Sequence, residues 1–140
     1  MDLVSHGLGV LLINLGSPAS PEVRDVRRFL REFLSDPRVL DLPAPFRWLL
    51  LHGLILPFRS KASAHAYRAI WTPDGSPLIQ SGKRLVSRLR EHCPFPIELG
   101  MRYGNPSVEQ GLDRLLASGI SKLLLLPLFP HYAMSSYETA

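Results

Sequence analysis

Two apolar runs constrain this chain more than any other feature. Gly9-Val-Leu-Leu-Ile-Asn-Leu15 closes on Gly16-Ser17-Pro18, and Lys122-Leu-Leu-Leu-Leu-Pro-Leu128 leads into Phe129-Pro130. Both are too short to cross a bilayer as helices and too evenly apolar for a strand with one wet face. Strands buried on both faces read this way, as they do in parallel sheets. A third strand is legible by alternation: Ile97, Leu99, Met101 and Tyr103 interleave with Glu98, Gly100 and Arg102.

Between the strands, apolar residues recur at helical spacing. Val23, Val26, Leu30, Phe33 and Leu34 follow Ser20-Pro21-Glu22, which reads as an N-cap with proline at the first helical position, and Asp36-Pro37 ends that helix. Leu78, Leu85, Val86 and Leu89 follow Ser76-Pro77. Val108, Leu112, Leu115 and Leu116 follow Asn105-Pro106-Ser107 and stop at Gly119. Strands alternating with helices through short loops predict an α/β fold, an open parallel sheet with helices on both faces. The last strand is followed only by residues up to Tyr137-Glu-Thr-Ala140, where the next helix should begin, so the lobe is expected to be incomplete at its C-terminus.

Residues 41–58 fit this scheme least well. Leu42-Pro-Ala-Pro45 reads as a turn, Phe46 to Leu56 as a helix or helical pair, and about Ser60 to Ile70 as a further helix. The stretch from Phe46 to Phe58 is apolar nearly all round, which implies deep burial or contact with something greasy. Arg47, His52 and Gly53 interrupt it, and it is too short to span a membrane.

Composition narrows the partners. Of 140 residues, 46% are hydrophobic and 20% charged, which suits one domain with a real core and not a disordered chain. The net charge of +4 favours anionic partners, but no Lys/Arg run is long enough to select nucleic acid. Cys93 is the lone cysteine, so an internal disulfide and a cysteine-held cluster are both excluded within this chain. No signal peptide is visible in Met1 to His6, and a cytoplasmic location is the expectation.

Ligands of open parallel sheets bind beyond the carboxyl ends of the strands, which directs attention to three segments. Gly16-Ser17-Pro18 lacks the glycine spacing of a nucleotide loop and reads as a tight strand-to-helix turn. Arg102 ends a strand among apolar neighbours; it is either a bidentate carboxylate ligand or a half-exposed strand-end arginine. Tyr103, on the alternate face, is a pocket residue or a core residue. His131 lies past the last strand beside Tyr132, Ser135 and Ser136. It is a candidate metal ligand, against the alternative of a loop histidine held by a hydrogen bond, and no second ligand stands at a metal-binding spacing. Arg59 and Lys61 are either the solvated start of a helix or cations at the mouth of an apolar pocket. Ser76 is an N-cap whose hydroxyl is also a candidate to face a ligand.

Four ordered segments resemble one family. Val10-Leu-Leu-Ile-Asn-Leu-Gly-Ser-Pro18 resembles the first strand and turn of ferrochelatases, and Tyr67-Arg-Ala-Ile-Trp71 with Gly75-Ser-Pro-Leu78 resembles their next signature. Met101-Arg-Tyr-Gly-Asn-Pro106 and Leu126-Pro-Leu-Phe-Pro-His-Tyr-Ala-Met-Ser-Ser136 resemble the strand and loop that follow. The resemblance implies a two-lobed enzyme, each lobe a four-stranded parallel sheet, that inserts Fe²⁺ into protoporphyrin IX. Residues 1–140 would be its N-terminal lobe, with the C-terminal lobe absent. It places Leu15 against the macrocycle face, Arg59 and Ser76 near the propionates, and Arg102 and Tyr103 along the inner pocket. The stretch Phe46 to Phe58 would be a lip of the porphyrin cleft that also meets a membrane surface.

Ferrochelatases draw their base and metal ligand from a histidine in a His-Ser-Leu-Pro type motif and a glutamate of the second lobe, and neither motif is present here. The resemblance therefore implies porphyrin binding by this chain without metal insertion. Fe²⁺ is expected as substrate, no resident cofactor is expected, and any iron–sulfur cluster would belong to a tail outside these residues. Two other readings remain: a half-size chelatase that pairs two copies around one tetrapyrrole, and a non-catalytic porphyrin carrier with His131 or Tyr132 as axial ligand. A histidine near the first strand would favour the half-size enzyme; Asn14 and Leu15 stand there instead.

Overall fold

A computed structural model describes residues 7–129. The chain runs β1 (Leu8–Gly16), α1 (Val23–Ser35), α2 (Ala44–Leu50), a π-helical turn (Leu51–Ile55), α3 (Leu56–Ile70), α4 (Pro77–His92), β2 (Ile97–Tyr103), α5 (Val108–Ala117) and β3 (Lys122–Pro127). The strands form a parallel sheet in the order β2-β1-β3. Register runs from Val10↔Ile97 to Gly16↔Tyr103 on one edge of β1, and from Leu8↔Lys122 to Ile13↔Pro127 on the other.

The alternation of side chains along β1 divides the core. Val10 and Leu12 join Ile97, Leu99, Met101 and Val86 of α4 on one face. Leu11 and Ile13 join Leu115 of α5 on the other. Helices thus cover both faces, as the sequence predicts. On the outer edge of β2, the Arg90 guanidinium donates to the Ile97 carbonyl, and Glu98 accepts from both Arg90 and Arg114. Charged groups fastened along an exposed edge discourage further strand pairing there.

A separate apolar cluster, Val26, Leu30, Leu51, Leu56 and Ala64, holds α1 against the π turn and α3. This helical unit meets the sheet near the carboxyl end of β2, where Phe33 packs edge-on against Tyr103 with ring centroids 5.2 Å apart.

Several expectations need correction. The third strand was expected to be buried, yet Leu123 to Leu126 are 41–48% exposed. Among the described residues β3 pairs with β1 alone, and α4 and α5 pack on β1 and β2, so no described helix covers it. The helix placed at Ser20-Pro21 begins later: Glu22 is the N-cap, and the Ser20 hydroxyl works from outside, donating to Asp25 and accepting from the Glu22 amide. Residues 44–70 are helical without a break. Pro57 has no N–H to give, and the widened turn just before it lets the helix continue. Arg59 therefore lies inside α3, not at the solvated start of a helix.

The turn after β1 is tight, as the Gly-Ser-Pro sequence implies. Gly16 has φ +118°, and a methyl group there would lie 1.8 Å from the Tyr103 carbonyl oxygen. Gly16→Ala is therefore expected to cost at least about 2 kcal/mol in urea unfolding. Gly53→Ala, where an added methyl meets nothing within 4 Å, is the control and should be neutral or mildly stabilising. Equal losses in the two variants would refute this account of the turn.

Candidate functional site

The carboxyl ends of β1 and β2 bring together Leu15, Arg102 and Tyr103, three of the residues singled out from sequence. Leu15 is half-buried. Tyr103 is only 2% exposed, and its hydroxyl donates to Asp36 Oδ2 at 2.9 Å. Arg102 Nη2 donates to the same oxygen at 3.3 Å, and its guanidinium carbon lies 5.0 Å from the centroid of the Tyr103 ring. Asp36 Oδ1 accepts from the Arg38 amide at 2.9 Å. A shallow cavity of about 550 Å³ opens beside the group, lined among others by Glu32, Ser35, Arg38 and Arg102. Arg102 Nε is buried with no hydrogen-bond partner among the described residues.

Asp36 is the residue that sequence reasoning missed, having read it only as the end of a helix. One signal was available. A carboxylate at the C-terminus of a helix opposes the helix dipole, so it needs a cation or donor from elsewhere in the fold. Arg102 and Tyr103, more than sixty residues away, supply both. Burial by itself would raise the Asp36 pKa. The Arg38 amide, the Tyr103 hydroxyl and the charges of Arg102 and Arg38 outweigh it and hold the carboxyl below its ordinary range.

Ser76 lies in a second cavity of about 490 Å³, on the turns that follow β1 and β2, with Pro18, Gln80, Lys83, Asn105 and Gln110. It is the N-cap of α4 by position, but its buried side chain makes no capping hydrogen bond. The cavity is also lined by Asp74, so Lys83 and the N-terminus of α4 are its groups suited to an anion, with one carboxylate opposite in sign among them. Ser107 carries the complete capping box instead, exchanging bonds with Gln110.

Arg59 is not brought to either cavity. It is exposed on α3 and makes no ion pair among the described residues. Around it the helical unit is greasy on the outside: Phe46, Trp48, Leu49, Leu54 and Phe58 are 56–71% exposed. An apolar hollow of about 760 Å³ lies among Leu42, Pro43, Phe46, Leu49 and Leu54. No helix among the described residues is long and apolar enough to cross a membrane. Among them too, no three His, Cys, Asp or Glu side chains gather into a metal-binding group. His131 and its neighbours Tyr132, Ser135 and Ser136 lie outside the described residues.

The lowered pKa of Asp36 has a consequence for stability. A carboxyl whose folded pKa lies below its ordinary value of 3.8 stabilises the fold above that pH. The contribution is lost as pH falls through the folded value. Asp36→Asn should be less stable than the parent by about 1–3 kcal/mol near neutral pH. The gap should close in acid below about pH 4. Urea unfolding across that range checks it, and a gap independent of pH would mean the carboxylate charge contributes nothing.

Comparison with known proteins bears on what such a site belongs to. The family model described as Ferrochelatase matches residues 7–140. A protein of Opitutus terrae named ferrochelatase is 55% identical over 133 residues, covering 93% of this chain and 39% of that protein. Ferrochelatases of Coxiella burnetii and Proteus mirabilis are 50% and 52% identical, covering 97% and 91% of this chain. The chain spans 39–40% of the length of these relatives. With the family model matching residues 7–140 of the chain and relatives at half identity or better, the chain belongs to the ferrochelatase family.

Proposed function

We propose that this chain supplies the porphyrin-binding lobe of a ferrochelatase, acting in haem biosynthesis, and that it does not insert iron by itself. The supporting observation is the grouping of Leu15, Arg102 and Tyr103 at the carboxyl ends of two adjacent parallel strands, beside a helical unit with an exposed apolar face. A flat, greasy dianion fits a surface of that kind: apolar walls for the macrocycle and positive sites for its carboxylates. Ser76, at the N-terminus of α4 with Lys83 nearby, is proposed as one propionate partner, and Arg59, exposed on α3 away from that cavity, as the other.

Insertion of Fe²⁺ into a porphyrin releases the two pyrrole protons, so it needs a base for both and a ligand that hands over the metal. The macrocycle must also be bent until its nitrogen lone pairs are accessible, and binding energy at rigid walls supplies that distortion. The base and metal ligand are assigned to residues outside this chain, Fe²⁺ being a substrate and no resident cofactor being needed. The leucines of β3, exposed among the described residues, support the same reading, an apolar surface of that kind being suited to a packing partner.

Protoporphyrin fluorescence, followed anaerobically with Fe²⁺ and the purified chain, reads binding and metalation together. Binding without metal insertion is expected. Turnover well above the protein-free rate would overturn the proposed division of labour.

The lip formed by residues 46–58 is proposed to rest on a membrane surface from the cytoplasmic side. Exposed Phe46, Trp48 and Phe58 beside the cations Arg47, Arg59 and Lys61 support peripheral contact, an apolar face with basic flanks being the pattern of interfacial helices. In a Trp71→Phe background, Trp48 emission should shift to the blue on adding vesicles that contain anionic lipid. Phe58→Ser should weaken that partition by about tenfold. An unchanged spectrum would remove the membrane from the proposal.

A further inference from the structure

We infer that Asp36 is a positioning residue. Its carboxylate fixes the Arg102 guanidinium beside the buried Tyr103 ring at the carboxyl end of β2, in the arrangement in which Arg102 meets a bound porphyrin. For the ligand, the inference rests on the function proposed above; the geometry behind it does not.

Arg102 and Tyr103 are consecutive residues of one strand, so their Cβ atoms start on opposite faces of β2, and the two side chains converge only at the strand end, where the guanidinium lies 5.0 Å from the Tyr103 ring centroid. An acceptor that holds both has to stand past the strand end. Asp36 is placed there by the end of α1 and uses both oxygens, Oδ1 on the Arg38 amide and Oδ2 on Arg102 and Tyr103. The Oδ1 bond ties the carboxylate to the backbone of its own turn, at the Arg38 amide. With 10% of its side-chain surface exposed, the charge is shielded from competing water.

An ion pair kept only for stability would be expected to satisfy its buried donors, since a buried N–H without an acceptor costs free energy. Arg102 does not conform. One edge of its fork is engaged by Asp36, while Nε stays buried with no partner among the described residues. The arginine is held through Nη2, and 35% of its side-chain surface stays exposed beside the cavity. Phe33 and the Glu32 carboxylate, which accepts from the Gly104 amide, close the same joint from α1. Among the described residues, the end of α1 therefore carries groups that engage both Arg102 and Tyr103.

The test uses two readouts on the whole chain. With arginine labelled at Nε, NMR follows exchange of the Arg102 Nε–H with solvent. Asp36→Asn, similar in shape but uncharged, should speed that exchange by about tenfold while β1 amides stay protected. Asp36→Glu, which keeps the charge on a longer arm, should fall between and remains informative if the asparagine variant folds poorly. Protoporphyrin affinity, from fluorescence quenching, should weaken by about tenfold in Asp36→Asn, and by no more than about threefold further when Arg102→Lys is already present. Unchanged Nε–H exchange in both variants would overturn the positioning role, whatever the porphyrin does. Additive losses of affinity in the double variant would overturn it too, because Asp36 would then act by another route. A parent chain that binds no porphyrin would sink the proposed function, and the exchange experiment would still decide whether Asp36 holds Arg102.

Discussion

β1 is paired along both edges and covered on both faces, and the rest of the sheet layer is arranged around that burial. Leu11, Leu12 and Ile13 are at most 1% exposed. Each such side chain contributes roughly 1.5–3 kcal/mol relative to an exposed one. Satisfying the backbone of so buried a strand requires neighbours on both sides, and β2 and β3 provide them in parallel register. Parallel pairing aligns the carboxyl ends of the strands. Gly16 and Tyr103 become register partners, and the turns that carry the candidate site residues leave the sheet from one end.

The helical unit of α1, α2 and α3 solves a different problem. Its inner side has its own core, built on Val26, Leu30, Leu51 and Leu56, and its outer side remains apolar and exposed. Apolar packing against the sheet is limited, so polar groups matter at the joint: Asp36 with Arg102 and Tyr103, and Glu32 with the Gly104 amide. A charge-assisted joint is directional in a way that apolar packing is not. It can therefore hold side chains in one orientation beside a site.

Membership of the ferrochelatase family gives these features a common setting. The parallel sheet supplies a rigid strand end, the helical unit an apolar wall, and the joint between them the ordered arginine and tyrosine. The exposed leucines of β3 mark the other edge of the sheet, where among the described residues a strand as apolar as β1 has one paired edge and no covering helix.

Much of this was legible in the sequence because it depends on local pattern. The continuous apolar run of β1, the period-two alternation of β2 and the helical stripes of α1, α4 and α5 each follow from side-chain geometry within a few residues. The same runs could not reveal which strand would sit in the middle, since Gly9–Leu15 and Leu123–Leu128 are equally apolar and only pairing partners distinguish them. The unbroken helix through Pro57 was hidden because a π turn leaves no composition signature. Asp36 was hidden for a more general reason. Its partners lie 66 and 67 residues away, and a hydrogen bond between distant residues has no period to read. By itself the sequence determined the three strands, the helices α1, α4 and α5, their order and the family resemblance, because these are written in short-range pattern. Tertiary structure alone decided which strand is central, which apolar surfaces stay exposed and which carboxylate holds Arg102 and Tyr103, because burial and charge pairing depend on residues that meet only after the chain has folded.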